Sequence, residues 1–319
     1  MNPYGFFIHV KNWLYDRQFL KSDDFGAAKI ISVGNLNTGG SGKTPFIIFL
    51  TDLILRQKPQ ARICIVTKSY KARLNTPAQV DLSSREAIEI YGDEACLLQT
   101  CLPKVVVWSG PSKSKTVQAL MQNQDHFDYI LVDDGFSHRQ LKRHCEITLI
   151  DTSRDPAHYR LLPLGRMRED WSALKRSDLI VYTKTQHMPI HHKMFFNQKT
   201  APYQKPIIES SYQIQLKIPA CPVILITGLG NPQAVRDDLF ANGYTVMKEF
   251  CYPDHYDFPE KEQVRILNWA QEHAEWTPVM TEKDFIKITV PDLKKMIQVI
   301  SLQVTVPEED LKYFYEKVL

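Results

Sequence analysis

The chain has 319 residues, which at roughly 150 residues per domain allows about two domains. Hydrophobic residues make up 44%, charged residues 24% and aromatics 11%, a composition that excludes disordered, collagen-like and disulfide-scaffold classes. Lys and Arg number 39 against 36 Asp and Glu, so the net charge is only +3 and a broad basic surface for nucleic acid is not expected.

In the first twenty residues Phe6, Phe7, Val10, Trp13 and Leu14 recur at helical spacing, with His9, Lys11, Arg17 and Lys21 among and after them. This pattern predicts an amphipathic helix with a cationic side, suited either to a membrane interface or to docking on a core. A strand follows at 29–33, a glycine-rich turn, and an apolar helix over 45–55. Further strands are expected at 62–67, 129–132, 147–150 and 179–183, those at 129–132 and 147–150 running into Asp133-Asp134 and Asp151. Short β-branched runs alternating with helical stretches predict a parallel sheet covered on both faces. Residues 187–206 are polar and read as a lid or linker. The pattern then restarts, with strands at 212–216, 223–227, 278–280 and 300–304 and helices at 233–242 and 260–272. The expected division is a helix at 1–24, a P-loop domain at 25–215 and a smaller α/β domain at 216–319.

Six scattered cysteines show no CxxC pair and no metal-ligand spacing, which predicts buried or half-buried free thiols. No run approaches the ~18 apolar residues needed to span a bilayer. No cleavable secretory leader is expected at the N-terminus.

The strongest local signal is Asn37-Thr38-Gly39-Gly40-Ser41-Gly42-Lys43-Thr44, between a strand and a helix. Small residues let backbone N–H groups approach phosphates, Lys43 suits the β/γ oxygens, and the Thr44 hydroxyl suits Mg²⁺. Thr38 to Thr44 are therefore the candidate nucleotide-binding residues. Asn37 replaces the usual first Gly and tolerates left-handed backbone. Asp133 and Asp134, at a strand end, fit the acidic residues that help hold Mg²⁺ beside such a loop. Thr183-Lys184-Thr185-Gln186 resembles a guanine-reading tetrapeptide, but Gln186 replaces its Asp, so adenine is the expected base and ATP the expected nucleotide.

Longer stretches surround this loop. Ile31 to Leu36 precede it, and Tyr91-Gly92-Asp93-Glu94-Ala95, Asp133 to Arg139 and Leu161 to Glu169 follow. Gly228 to Pro232, Pro253-Asp254-His255-Tyr256 and Thr281 to Asp284 come later. In this order and spacing, from about residue 10 to 307, the chain resembles the tetraacyldisaccharide 4′-kinases, the lipid A 4′-kinases of Gram-negative bacteria. The resemblance implies a peripheral enzyme on the cytoplasmic face of the inner membrane, expected as a monomer. It would use ATP and Mg²⁺ to phosphorylate the 4′-hydroxyl of a tetraacylated glucosamine disaccharide 1-phosphate, giving lipid IVA.

Carried over by position, Lys43 and Thr44 handle phosphate and metal, with Asp133, Asp134 and Glu94 on the metal side. Asp93 matches the catalytic carboxylate and His255 the histidine paired with it across the domain cleft. Lys68, Tyr70, His138, Arg139 and Arg168 fall on the substrate side, and the N-terminal helix tips toward membrane contact. The family pattern is altered at Thr67-Lys68-Ser69-Tyr70-Lys71, Gly110-Pro111-Ser112-Lys113, Ala95, Ser137 and Gly165-Arg166-Met167-Arg168-Glu169. These departures cluster on the acceptor side, while the phosphate loop is intact.

Read from the residues alone, Asp93 also fits a helix N-cap and His255 a loop histidine bonding a carbonyl. His138, Arg139 and Arg143 form a candidate cationic group, either solvated or contacting phosphate. Thr281 to Asp284 fit a cap, a nucleotide contact or a domain interface. The other function classes are a P-loop kinase of a soluble sugar or nucleoside, and a nucleotide-dependent regulatory switch.

Overall fold

The computed structural model describes residues 3–26, 28–69, 72–84, 86–123, 126–229 and 232–319. Tyr70 and Lys71, on the expected substrate side, and Gly230 and Asn231 lie outside the described residues. The chain divides into one unit of residues 1–212 plus 304–319, and a second of residues 213–303.

The first unit begins with helix α1 (Pro3–Asp16), which ends well short of the expected residue 24. Its sheet and helices follow as β1 (Lys29–Asn35), α2 (Lys43–Gln57), β2 (Ile63–Lys68), β3 (Ala78–Gln79), α3 (Ala87–Tyr91), α4 (Asp93–Cys101) and β4 (Val106–Gly110). Then come α5 (Lys113–Gln122), β5 (Tyr129–Asp133), β6 (Cys145–Asp151), β7 (Leu179–Thr183), α6 (Ile190–Thr200) and β8 (Ile207–Glu209). The strands form an eight-stranded sheet in the order β3-β4-β2-β5-β1-β6-β7-β8. All neighbours are parallel except β3 on β4. Central strands are buried throughout because helices cover both faces, which is why they read as continuous apolar runs.

One face packs Ile30, Cys64, Val66 and Ile130 against Val117 and Leu120 of α5. Further across the sheet, in register on that same face, Ile150, Ile180 and Tyr182 pack with Phe136 against Phe196 of α6. β1 sits between β5 and β6, and the chain leaves β1 toward β2 but leaves β5 across β1 toward β6. In open parallel sheets that reversal opens a crevice at the carboxyl ends of the strands, where ligands bind.

Residues 187–206 are not the expected lid or linker. They hold α6, whose Phe196 is fully buried and packs edge-on against Tyr159 at 5.0 Å. A single aromatic stripe suffices to dock a helix whose other faces are polar. Strand β4 carries the apolar run Val106-Val107-Trp108 and pairs with β2, lying inside a stretch assigned no strand from sequence.

The second unit contains β9 (Ser211–Gln215, shared at its start with the first unit), β10 (Pro222–Thr227), α7 (Pro232–Ala241), β11 (Thr245–Cys251), α8 (Glu260–Glu272) and β12 (Thr277–Thr281). It is completed by α9 (Glu282–Phe285), α10 (Pro291–Met296) and β13 (Gln298–Thr305), in a sheet ordered β11-β10-β12-β13-β9. The α/β class with two units and a leading helix thus matches the sequence expectation. The assignment of 304–319 to the second domain does not hold. Helix α11 (Leu311–Lys317) returns to the first unit, where the fully buried Phe314 meets Phe46 at 6.0 Å and Phe49 at 6.1 Å. The Leu319 carbonyl accepts hydrogen bonds from Lys29 and Lys58 at 2.7 and 3.0 Å. Burying one Phe is worth about 2–3 kcal/mol, enough to return a short tail.

Candidate active site: a phosphate loop beside an aspartate pair

The loop of residues 37–42 joins the carboxyl end of β1 to the first turn of α2. Gly39 and Gly42 take φ of 95° and 81°, a region that disfavours side chains. Gly42 has a second reason to be glycine, since a Cβ there would lie 2.6 Å from the Tyr212 ring. Helix α2 forms from Lys43 because Phe46, Ile47, Leu50, Leu53 and Ile54 line one buried stripe. Pro45 falls in its first turn, where a missing N–H costs nothing. Loop amides and a helix N-terminus together make a site for an anion.

Asp133 and Asp134 stand at the end of β5, next to β1 in the sheet, with Asp133 in register with Val33. Asp133 is buried and accepts from Thr67 Oγ1 at 3.2 Å, while its Oδ1 has no partner among the described residues. Burial pushes its carboxyl above the usual range, against the pull of Lys43. Asp134, at φ 51°, receives Lys43 Nζ at 3.6 Å and both terminal nitrogens of Arg168, at 2.8 and 2.5 Å. Burial opposes ionisation there, but Arg168, Lys43 and Lys113 outweigh it and hold the carboxyl below its ordinary value.

No three His, Cys, Asp or Glu side chains form a preformed metal cage among the described residues. Mg²⁺ needs none, because it keeps waters and takes one or two carboxylates plus phosphate oxygens. The unpartnered Asp133 Oδ1 and the Thr44 hydroxyl, one residue past Lys43, fit such a hard oxygen set.

Sequence reasoning missed Lys113 as part of this cluster. It is 1% exposed and donates to the Asp134 carbonyl at 2.6 Å. Burial lowers its pKa, and the two aspartates resist that shift. The signal was present, since Lys113 stands where the family pattern has Arg. Arg168 likewise belongs to the Asp134 clamp, also donating to Asn35 Oδ1 at 2.8 Å.

The expected cationic group of His138, Arg139 and Arg143 does not form. Burial, reinforced by the charge of Lys113, drops the His138 pKa to about 4, so the ring is neutral. Arg139 binds Asn12 O at 2.9 Å and Asp16 at 2.7 Å, both on α1. Arg143 pairs with Glu146 and donates to the carbonyls of Gly135 and His138. Both guanidiniums are occupied by the protein itself.

Helix α1 docks through its polar side. Tyr4 OH donates to Arg168 O at 3.0 Å, Lys11 to Ser137 O at 2.9 Å, and Asn12 to the buried Glu169 at 2.8 Å. Phe6, Phe7, Val10 and Trp13 are left exposed, by 70% at Phe7. Of the two sequence alternatives for this helix, docking of the apolar stripe on the core is ruled out. No helix among the described residues is long and apolar enough to cross a membrane.

Asp93 is the first residue of α4, with Gly92 rather than Asp93 as the N-cap, and its Oδ1 accepts from Glu94 N at 2.9 Å. Lys68 is the exposed last residue of β2. In the second unit, His255 takes φ 64° and its Nε2 lies 3.4 Å from Lys283 Nζ and 3.9 Å from Asp254. Asp284, fully buried, accepts from Gly228 N at 2.9 Å and Thr281 Oγ1 at 3.1 Å. Lys287 donates to Tyr256 O at 3.0 Å. Thr281 and Asp284 thus tie down the turn after β10, while Thr281, at the N-cap of α9, makes no side-chain capping hydrogen bond.

The profile of the family described as LpxK, tetraacyldisaccharide-1-P 4′-kinase, matches residues 2–319. The chain belongs to this family. Among relatives, the tetraacyldisaccharide 4′-kinase of Aquifex aeolicus is 32% identical over 299 residues, covering 88% of this chain and 85% of that protein. That of Bdellovibrio bacteriovorus is 28% identical with the same coverage, 88% and 85%. A crystal structure of the apo form of LpxK from Aquifex aeolicus in complex with ATP superposes with a TM-score of 0.77 at 27% identity, covering 99% of this chain and 96% of that one. The family members so named are enzymes, and this chain is a kinase of their fold.

Proposed function

We propose that this chain transfers the γ-phosphate of ATP to the 4′-hydroxyl of a tetraacylated glucosamine disaccharide 1-phosphate, as a monomer on the cytoplasmic face of the inner membrane. The observation that carries the reading is the glycine loop heading α2, with Lys43 held 3.6 Å from Asp134 at the crevice of the parallel sheet. ATP in the crystal structure of the Aquifex relative supports the choice of nucleotide.

Phosphoryl transfer asks a protein to align two reactants and neutralise the charge that develops. Lys43 and the loop amides supply the neutralisation at the phosphates. Mg²⁺, when bound through Thr44, Asp133, Asp134 and Glu94, would add charge at the β/γ oxygens. Asp93 orients the sugar hydroxyl and accepts its proton late, since a free carboxyl near ~3.9 is a weak base at neutral pH. His255 is the proton partner of Asp93 in this reading, and Lys68 contacts the acceptor. The exposed aromatics of α1, followed by the cations Arg17 and Lys21, suit the headgroup layer from which a four-chain lipid is drawn.

Purified protein incubated with labelled ATP and either lipid disaccharide 1-phosphate or water-soluble sugars and nucleosides tests this. Label should enter the lipid alone, and Lys43→Ala should abolish transfer while leaving the circular dichroism spectrum unchanged. Transfer to a soluble acceptor, or ATP hydrolysis with no acceptor dependence, would replace the reading with a soluble-substrate kinase or a switch.

A further inference from the structure

The tetrapeptide that resembles a guanine-reading element has a different place in the fold. Thr183 ends β7, and its Oγ1 donates to Ser41 O at 3.1 Å. Lys184 follows at φ 60°, donating to Gly40 O at 3.1 Å and pairing with the buried Asp151 at 2.7 Å. Gln186 grips the backbone of Tyr212 on both sides, donating to its carbonyl at 2.5 Å and accepting from its N–H at 3.0 Å. Tyr212, 2% exposed, donates its hydroxyl to Gly42 O at 3.0 Å. Three consecutive loop carbonyls, those of residues 40, 41 and 42, are therefore each held by a side chain from one neighbouring patch.

The peptide unit is planar and trans, so the C=O of one residue and the N–H of the next point in opposite directions. Holding the carbonyls of Gly40, Ser41 and Gly42 toward the brace fixes the N–H groups of Ser41, Gly42 and Lys43 away from it. Glycines at 39, 40 and 42 give that segment many alternative conformations, and ordering it on ligand binding would cost affinity. A loop already held in one arrangement avoids that cost.

We infer that Thr183, Lys184, Gln186 and Tyr212 are positioning residues that preset the phosphate loop for a nucleoside triphosphate, with Asp151 holding Lys184 in place. This rests on the reading of residues 37–44 as the nucleotide site and deepens it. The segment reads no base; it orders the backbone that receives the phosphates.

Calorimetric titration of the full chain with a non-hydrolysable ATP analogue tests the brace, using Tyr212→Phe and Thr183→Val, which keep side-chain shape, and Lys184→Met. One hydrogen bond is worth about 1 kcal/mol, so each isosteric variant should bind the analogue roughly fivefold more weakly. Lys184→Met should lose about tenfold, and Lys184→Arg, which can still donate to Gly40 O, should recover most of it. The KM for the acceptor should stay at its wild-type value, and the melting temperature of the isosteric variants should fall by only the few degrees that one lost hydrogen bond costs. Unchanged analogue affinity in Tyr212→Phe and Thr183→Val overturns the brace, as does a raised acceptor KM with nucleotide affinity intact. Lys43→Ala separates the two levels. If it loses binding while the brace variants do not, the brace alone is wrong; if it binds normally, the nucleotide reading falls and the brace with it.

Discussion

His138 offers a prediction whose sign and size both follow from its surroundings. It lies three residues past Gly135, near Lys113, Asp134, Lys68 and Lys11, and burial with the Lys113 charge lowers its pKa from 6.5 to about 4. Between those values the unfolded chain binds a proton that the folded chain refuses, so stability rises with pH across the window and is lost as pH falls through it. From pH 6.5 to about 5 the difference is worth about 2 kcal/mol at full burial, and water reaching the ring reduces that to roughly 1. Urea denaturation near pH 7 and pH 5, on wild type and His138→Gln, isolates the contribution, because every other titrating group is common to both. Wild type should lose about 1 kcal/mol more than the variant on acidification. Equal losses, or an imidazole resonance titrating near 6.5 in the folded protein, would refute the assignment of a buried neutral ring.

Phe314→Ala should cost about 3 kcal/mol of unfolding free energy, read in urea, because it empties a fully buried aromatic site against α2. A cost under about 1 kcal/mol would mean that the C-terminal helix does not hold to the first unit. With a thiol reagent near pH 8, the exposed Cys251 should account for the fastest phase and Cys251→Ser should remove it. Cys96 and Cys145, buried and pushed up to about 12, should react only on unfolding. Phe7→Ser with Trp13→Ser should leave stability nearly unchanged yet abolish sedimentation with anionic phospholipid vesicles; persistent sedimentation would locate membrane contact elsewhere.

The sequence by itself determined the parts governed by local chemistry. Alternating β-branched runs and apolar stripes specified the α/β class, and α8 falls at the expected residues 260–272. The phosphate loop was legible because its glycines, lysine and threonine must be adjacent in the chain to cradle an anion. The C-terminal return was not legible, since nothing local tells Phe314 that its partners are Phe46 and Phe49. Nor was α6, whose single buried stripe is diluted by polar neighbours.

Tertiary structure alone decided the electrostatics. By resemblance Arg139 and Arg168 both fall on the substrate side, yet one is held by α1 and the other clamps Asp134. His138 became neutral and Lys113 became buried because elements distant in sequence exclude water from both. A charge state is set by burial and by neighbours within a few ångströms, and those neighbours come from strands whose order in the sheet is not their order in the chain.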